Sequence, residues 1–292
     1  MASAHSSILR RAARLVAVLA LAACGPATAT FQAKLQPAPA SAALEIHFLD
    51  VGQGDAILIT LGHRAVLVDA GRGDDIVAVL RDYHVDSLVA VIASHNHQDH
   101  IGGMDAVLSD FPIGRYLSNG RPPGNYNAKN VETWLRRNHI SHPPPPWAPI
   151  QLEDVRITVF PTNLENPEEN NASLGVLIER GSFRALLTGD SQIEELNSWL
   201  AAGRGVDVDV LKAAHHGSRN GVSPGWLDRT RPEVVVISVG AGNSYGHPDP
   251  WALRYYQTHG RKVFRTDLDG TVTVTVDRAG AYHIETAGPI QR

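Results

Sequence analysis

The 292-residue sequence has a single cysteine, Cys24, so no disulfide can form within the chain. It also lacks an excess of positive charge: 26 Lys and Arg stand against 30 Asp and Glu, a formal net charge of −4. Residues 1–23 hold Arg10, Arg11 and Arg14 and no acid, so the remainder has 23 basic against 30 acidic residues, or −7. No global basic field advertises nucleic-acid binding, and a polyanionic substrate would need a local basic patch or bound metal. The apolar run Leu15–Ala23 falls short of the roughly 20 residues that span a bilayer. Gly52-Gln53-Gly54 lacks the third glycine of a dinucleotide fingerprint and leads into a strand-like run rather than a helix. What is present is a globular composition, 43% hydrophobic and 19% charged, enough for a large core in one large domain or two small ones.

The N-terminus reads as a leader. Arg10-Arg11-Ala12-Ala13-Arg14 followed by Leu15–Ala23 has the order of a secretory signal. Leu21-Ala22-Ala23-Cys24-Gly25 resembles a bacterial lipobox, in which the cysteine becomes the lipidated mature N-terminus; the alternative is ordinary cleavage near Ala23 or Ala29 with Cys24 incidental. Several acyl chains, at about 0.8 kcal/mol per buried CH₂, anchor stably. The expected organisation is a signal peptide over 1–23, lipidation at Cys24, a flexible Pro- and Ala-rich tether over 24–43 and a folded domain over 44–292. It implies an exported lipoprotein, anchored in a membrane and facing the periplasm or cell exterior. No protein partner is predicted.

Along the folded part, strands are predicted at Ile46–Val51, Ala56–Thr60, Ala65–Gly71 and Leu88–Ser94, with helices at Asp74–Tyr83 and Ile101–Ser109. A helix over Val131–Asn138 precedes Pro143–Pro146, which forces an extended loop. A second strand-rich half has Val155–Phe160, Leu174–Glu179, Ala185–Thr188, Val208–Ala213, Val234–Val239, Val263–Thr266 and Val272–Val276, with helices at Ile193–Ala202 and Trp251–His259. Two sets of strands with helices between them suit an α/β sandwich of mixed sheets flanked by helices.

The densest chemistry is Ser94-His95-Asn96-His97-Gln98-Asp99-His100. In extended chain His95 and His97 point to the same side. Four ligand-type side chains within six residues crowd one tetrahedral ion but can serve two adjacent ions. Imidazole and carboxylate suit zinc, manganese or iron. Most of the 14 histidines are scattered; His5, His63, His84, His139, His142, His259 and His283 read as ordinary surface or satisfied residues. Further ligands are expected where other apolar runs end: Asp190 in Leu187-Thr188-Gly189-Asp190, His215 or His216 in Lys212-Ala213-Ala214-His215-His216-Gly217-Ser218, and His247 in Tyr245-Gly246-His247-Pro248.

These segments, with Leu49-Asp50-Val51-Gly52-Gln53-Gly54-Asp55-Ala56, Val68-Asp69-Ala70-Gly71, Ile101-Gly102-Gly103 and Arg265-Thr266-Asp267, resemble the metallo-β-lactamase-fold domain of ComEC-type competence proteins. The resemblance runs from Leu44 to about Ile284. His-x-His-x-Asp-His marks the superfamily. Asp-Val-Gly-Gln-Gly-Asp with His-His-Gly-Ser narrows it to this branch, which includes phosphorylcholine-esterase-like enzymes. It implies a four-layer αβ/βα sandwich and two divalent metal ions, zinc or manganese. One ion is assigned to His95, His97, Asp190 and His215 or His216, only one of which an extended strand would turn inward. The other is assigned to Asp99, His100, Asp190 and His247. There are two departures. Proteins of this type carry a membrane channel that is missing here, so transport of DNA by this chain itself is not expected. The third-motif histidine of many superfamily members is also missing from Glu169–Leu174, where His-His-Gly-Ser is expected to substitute.

The expected chemistry is attack on a phosphodiester by a hydroxide shared between two ions about 3.5–4 Å apart. Asp99 is counted with the catalytic residues, and Lys212, Ser218, Asn243 and Tyr245 are candidates for holding phosphate or protonating the leaving oxygen. Asp69 and Asp55 are expected to orient ligand histidines from behind. DNA or another phosphodiester is the expected substrate. Arg115, Arg121, Lys129, Arg136, Arg137 and Arg219 are candidates for a basic path, and Tyr116, Tyr126 and Trp134 for base stacking. The alternatives are a phosphorylcholine-type or other small-substrate hydrolase, and a catalytically silent metal-binding envelope lipoprotein.

Overall fold

The computed structural model describes residues 42–165 and 167–288; the leader, Cys24 and nearly all of the tether lie outside them. The first half contains β1 (Leu44–Phe48), β2 (Ile57–Leu61), β3 (Arg64–Val68), α1 (Ile76–Asp82), β4 (Ala90–Ile92), α2 (Gln98–Ile101), α3 (Met104–Asp110), β5 (Tyr116–Leu117) and α4 (Tyr126–Arg137). The second contains β6 (Ile150–Leu152), β7 (Val155–Phe160), β8 (Gly175–Arg180), β9 (Phe183–Leu187), α5 (Ile193–Ala201), β10 (Val210–Lys212), α6 (Pro224–Thr230), β11 (Val234–Ile237), α7 (Pro250–Thr258), β12 (Lys262–Arg265), α8 (Thr266–Asp269), β13 (Val272–Val276) and β14 (Tyr282–Thr286). They form two seven-stranded sheets, ordered β14-β13-β1-β2-β3-β4-β5 and β12-β11-β10-β9-β8-β7-β6.

The central strands of each sheet are buried on both faces, so they read as apolar runs, whereas strands nearer the edges such as β13, Val-Thr-Val-Thr-Val, alternate. Ile46, Ile59, Val66 and Ile92 of the first sheet meet Ile157, Val176, Ala185 and Val236 of the second in one core. The outward residues Leu58, Leu67 and Val91 pack on Ile76, Leu80, Met104 and Val131 of the helices. Leu186, Leu211 and Val235 do the same against Leu196, Trp199, Trp226 and Tyr256. The four-layer sandwich is therefore present as expected.

Within each sheet an antiparallel half adjoins a parallel one: β3, β4 and β5 run parallel, as do β9, β10, β11 and β12. Parallel strands gather their carboxyl ends at one edge, and ligands bind beyond that edge. The candidate residues fall in the loops leaving β3, β4, β9, β10 and β11. Three strands and three short helices were not anticipated: β5, β6, β14, α2, α6 and α8. The strands are edge strands, and β5 and β6 are only two and three residues long, too short to show a period. Helix α4 begins five residues earlier than expected, because the Asn125 side chain accepts the Ala128 N–H and caps it.

Candidate metal centre

The loop after β4 is built to carry side chains. Asp69, at the end of β3, accepts the Ser94 N–H and Ser94 Oγ–H at 2.7 Å each, and the His100 Nδ1–H at 2.8 Å. Asp69 thus fixes both ends of the His95–His100 turn. Gly54 explains one motif: its φ of +135° and a Cβ that would stand 2.1 Å from the Asp99 carbonyl oxygen leave room only for glycine. The backbone there presses under the turn, and the Asp55 N–H donates to that same carbonyl.

The loop after β10 departs from the extended geometry expected for it. His215 and His216 both adopt left-handed conformations, φ 49° and 52°, costing roughly 1–2 kcal/mol each in a non-glycine residue. Such strain collects at functional sites. Its effect is that both rings face the cluster, where a strand would have turned one away. His215 Nε2 stands 3.9 Å from Asp190 Oδ2, as does His95 Nε2. His216 Nε2 stands 3.5 Å and His100 Nε2 3.3 Å from Asp190 Oδ1. Asp190 therefore divides the cluster. Its Oδ2 faces His95 and His215, with His97 Nδ1 3.0 Å from His95 Nε2; its Oδ1 faces His100 and His216, with Asp99 Oδ2 3.4 Å from His216 Nε2.

The outer nitrogens of three imidazoles are spoken for. His100 donates to Asp69, His216 Nδ1 to the Ser238 carbonyl at 2.9 Å, and His215 Nδ1 to Asn220 Oδ1 at 3.1 Å. A carbonyl or carboxylate on Nδ1 fixes the tautomer that leaves Nε2 as a bare donor, the arrangement of metal-ligating histidines. His100 Nε2, His216 Nε2 and Asp190 Oδ1 are buried and hydrogen-bonded to nothing. Three orphaned polar atoms, each costing about 1–3 kcal/mol, pointing at one another in the dry interior fit a divalent cation. The charges agree: Asp55, Asp69, Asp99 and Asp190 gather around the histidines, and the one buried lysine among the described residues, Lys212, pairs with Asp55 and Asp190 alone.

Burial alone would raise Asp190, but His216 and His100 hold its carboxyl well below the usual range. Burial would likewise raise Asp99, yet the His216 imidazole beside it and the charge of His100 hold it low. Burial lowers His95 well below its ordinary value, and His100 beside it adds to this. His100 goes the other way: burial would lower it, but Asp190 and Asp69 raise it well above. Burial also raises Asp69, against the pull of His100.

Several expected residues sit elsewhere. His247 is on the cavity wall, its ring 5.5 Å from His215 and 6.5 Å from His216, and His216 rather than His247 stands beside Asp99 and His100. Lys212 is fully buried, bonded to the Gly189 carbonyl at 2.9 Å and in contact with Asp55; it cannot hold a substrate phosphate. Asp55 in turn lies 3.5 Å from His216 Nδ1 and 3.8 Å from His100 Nδ1. Ser218 Oγ donates to Asn220 Oδ1 and so steadies His215. Asn243 spends its side chain on the Gly240 and His247 carbonyls and on the Tyr245 and His247 N–H groups. Tyr245 is 55% exposed at the cavity. Of the stacking candidates, Tyr116 is core at 2% exposed, while Tyr126 is 75% exposed. Gly242-Asn243-Ser244-Tyr245-Gly246 spells the Gly-x-Ser-x-Gly of serine hydrolases, but lies in an irregular loop rather than a strand-to-helix elbow.

Sequence reasoning missed Arg72. It lines the same cavity of about 370 Å³ as His97, Asp99, Asp190, His215 and His247. Its Nη2 donates to Tyr245 Oη at 3.3 Å. The signal was Gly71-Arg72-Gly73 facing Gly102-Gly103: a Cβ on Gly102 would meet the Arg72 carbonyl oxygen at 2.2 Å. The paired glycines let the Arg72 turn lie flat on α2 at the mouth of the site.

The chain is similar in sequence to known proteins. The chain is 26% identical over 273 residues to ComE operon protein 3 of Bacillus subtilis (strain 168), covering 82% of this chain and 34% of that one. It is 29% identical over 236 residues to competence protein ComA of Neisseria gonorrhoeae, covering 79% and 32%. It spans about a third of the length of these curated relatives, and they agree with the ComEC-type resemblance. Among solved structures, the metallo-beta-lactamase fold protein YhfI from Bacillus subtilis superposes with a TM-score of 0.52 at 14% identity, over 84% of this chain and 99% of that one. The model of the metallo-beta-lactamase superfamily matches residues 49–241, from the end of β1 to the start of the His247 loop, and the chain belongs to that superfamily.

Proposed function

We infer that the chain is a metal-dependent phosphodiesterase that cuts DNA outside the cytoplasm. The observation that carries the anionic substrate is Arg72. Its guanidinium is exposed at the mouth of the cluster, bonded to the Tyr245 hydroxyl, and no carboxylate among the described residues pairs with it. A guanidinium there matches the paired oxygens of a phosphate.

His95, His97, His215 and Asp190 Oδ2 would hold one divalent ion; Asp99, His100, His216 and Asp190 Oδ1 would hold the other. Two such ions supply Lewis acidity and acidify a water at neutral pH. The chain's own groups do the rest. Asp69, Asn220 and the Ser238 carbonyl keep the imidazoles in register. Arg72 grips the non-bridging oxygens, and Tyr245 Oη, held by Arg72, stands ready to give its proton to the leaving oxygen. Lys212 keeps Asp55 and the Gly189 turn in place beneath Asp190.

A phosphorylcholine-type substrate is disfavoured by the same cavity. A quaternary ammonium calls for an aromatic cage, and the lining offers one tyrosine and a cationic Arg72. DNA rather than a small ester is supported by a relative named as a competence protein and by the exposed Lys129 and Arg136 on α4. The lipobox-like Leu21–Cys24 supports export and anchoring; Cys24→Ala should move the protein from the membrane to the soluble fraction, and unchanged fractionation would remove the anchor from the proposal.

The test uses the purified full chain loaded with Mn²⁺ or Zn²⁺, assayed on plasmid, linear and single-stranded DNA and on bis-p-nitrophenyl phosphate. Metal-dependent cleavage that disappears in Asp190→Ala and His97→Ala is expected. No cleavage of any substrate with metals confirmed bound would overturn the phosphodiesterase reading.

A further inference from the structure

A second cavity, of about 260 Å³, adjoins the metal loop. It opens between β5, the 119–123 loop and one face of α4. Asn96 lines it, and Asn96 lies between His95 and His97, so the two cavities share one turn of chain. Its walls are of two kinds. Ala128, Val131 and Leu135, on the buried face of α4, and Pro122 and Pro123 opposite them give an apolar slot. At one side stands a polar pair, Ser118 Oγ and His142 Nε2, 2.8 Å apart. Burial lowers His142, so its imidazole is neutral near pH 7 and offers both a donor and an acceptor.

The slot is firmly tied to the metal loop. Asn125 Nδ2 donates to the Asn96 carbonyl at 2.5 Å, which pins the start of α4. The Glu169 carboxylate accepts the Asn96 N–H at 2.8 Å, Asn119 Nδ2 at 3.3 Å and pairs with Arg121 Nε at 3.2 Å. That single carboxylate fastens the 119–121 loop, and the guanidinium at the slot's rim, to the turn that carries the histidines. The apolar slot is thus held at a fixed distance from the cluster.

We propose that this cavity is a nucleoside subsite, receiving the base and sugar next to the phosphate that sits on the cluster. Its volume lies just under the range of about 300–1,000 Å³ for drug-sized ligands, right for one ring system and a sugar. Apolar walls take the faces of a heteroaromatic ring; the Ser118–His142 pair takes a hydrogen-bonding edge. A chain of alternating phosphates and ringed nucleosides is the substrate class that needs a phosphate grip at Arg72 and a ring slot one turn of loop away. The assignment rests on the phosphodiesterase reading for its orientation, though ring binding can be measured alone.

The experiment compares thymidine 5′-p-nitrophenyl phosphate with methyl p-nitrophenyl phosphate on the metal-loaded full chain. Both release the same leaving group and differ in the nucleoside. Binding of thymidine 5′-monophosphate is followed by calorimetry in parallel. The nucleoside ester should have a kcat/KM roughly tenfold or more above the methyl ester, the scale of one seated base. Val131→Trp, which fills the slot, should collapse that ratio and the monophosphate binding; Ser118→Ala, which leaves the helix face intact, should lower both in part. Equal kcat/KM values, with monophosphate binding unaffected by Val131→Trp, would overturn the subsite and leave the phosphodiesterase standing. Cleavage of neither ester with slot-dependent binding would do the reverse. Neither cleavage nor binding would overturn both.

Discussion

Replacing Lys212 by Met separates two roles for one cation. A lysine that reaches substrate would, when removed, raise KM and leave the fold alone. The structure places Lys212 in the dry interior, in contact with Asp55, 2.9 Å from the Gly189 carbonyl and 3.8 Å from Asp190 Oδ1. Methionine keeps its length and removes its charge, so Asp55 is left buried against His216 and His100 alone. Breaking a buried pair on one side costs about 3–5 kcal/mol. For a domain of this size that is a fall in Tm of roughly 10 °C. The assay is thermal unfolding of chelated protein by circular dichroism, beside KM for bis-p-nitrophenyl phosphate. The double variant Lys212→Met with Asp55→Asn, which removes both charges, should recover more than half of the lost stability. A Tm within 2 °C of wild type together with a tenfold higher KM, both orders of magnitude taken from single-contact losses, would refute this placement of Lys212.

Three further outcomes follow from the same geometry. Arg72→Ala should raise KM for bis-p-nitrophenyl phosphate by about tenfold or more, the loss of one charged hydrogen bond, with metal content unchanged; an unaltered KM detaches Arg72 from substrate. Glu195, fully buried on α5, is pushed up to about 8 by burial, which outweighs the opposing pull of the nearby Ser191 and Thr162. Its protonated form is the one the fold favours, so the stability it lends is complete below about pH 4.5 and is lost as pH rises to 8. The loss at pH 7 is about 3 kcal/mol. Glu195→Gln should flatten the urea midpoint between pH 5 and 8, and a midpoint that still falls in parallel with wild type would exclude Glu195 as the cause. His215→Ala should weaken one ion while Asn220→Ala, which frees its Nδ1, should weaken the same ion less; equal retention by both variants would remove His215 from the ligand set.

The cluster was legible because His95–His100 is a local motif, and the partner segments because each follows an apolar run that had to be a buried strand. What was hidden depended on backbone conformation and burial. Whether His215 or His216 faces inward cannot be read from a strand rule when both residues leave the strand in left-handed turns. Lys212 and Ser218 read as reactive loop residues; their partners Asp55 and Asn220 are contacts of the folded chain. Tyr116 read as a surface stacking ring because β5, which buries it, is two residues long. Arg72 was passed over because its signal, a glycine-flanked turn, has meaning only beside Gly102 on a separate segment. His247 matched a motif, yet its loop carries it to the cavity wall, one layer outside the Asp190 carboxylate.

The division of the cluster by Asp190 is tested most directly by counting metal. Full-length protein dialysed against Mn²⁺ or Zn²⁺ and measured by inductively coupled plasma mass spectrometry should hold two ions per chain. His216→Ala should hold one, and His247→Ala should still hold two. A single ion in the wild type, or two in His216→Ala, would contradict a centre split between the two oxygens of Asp190.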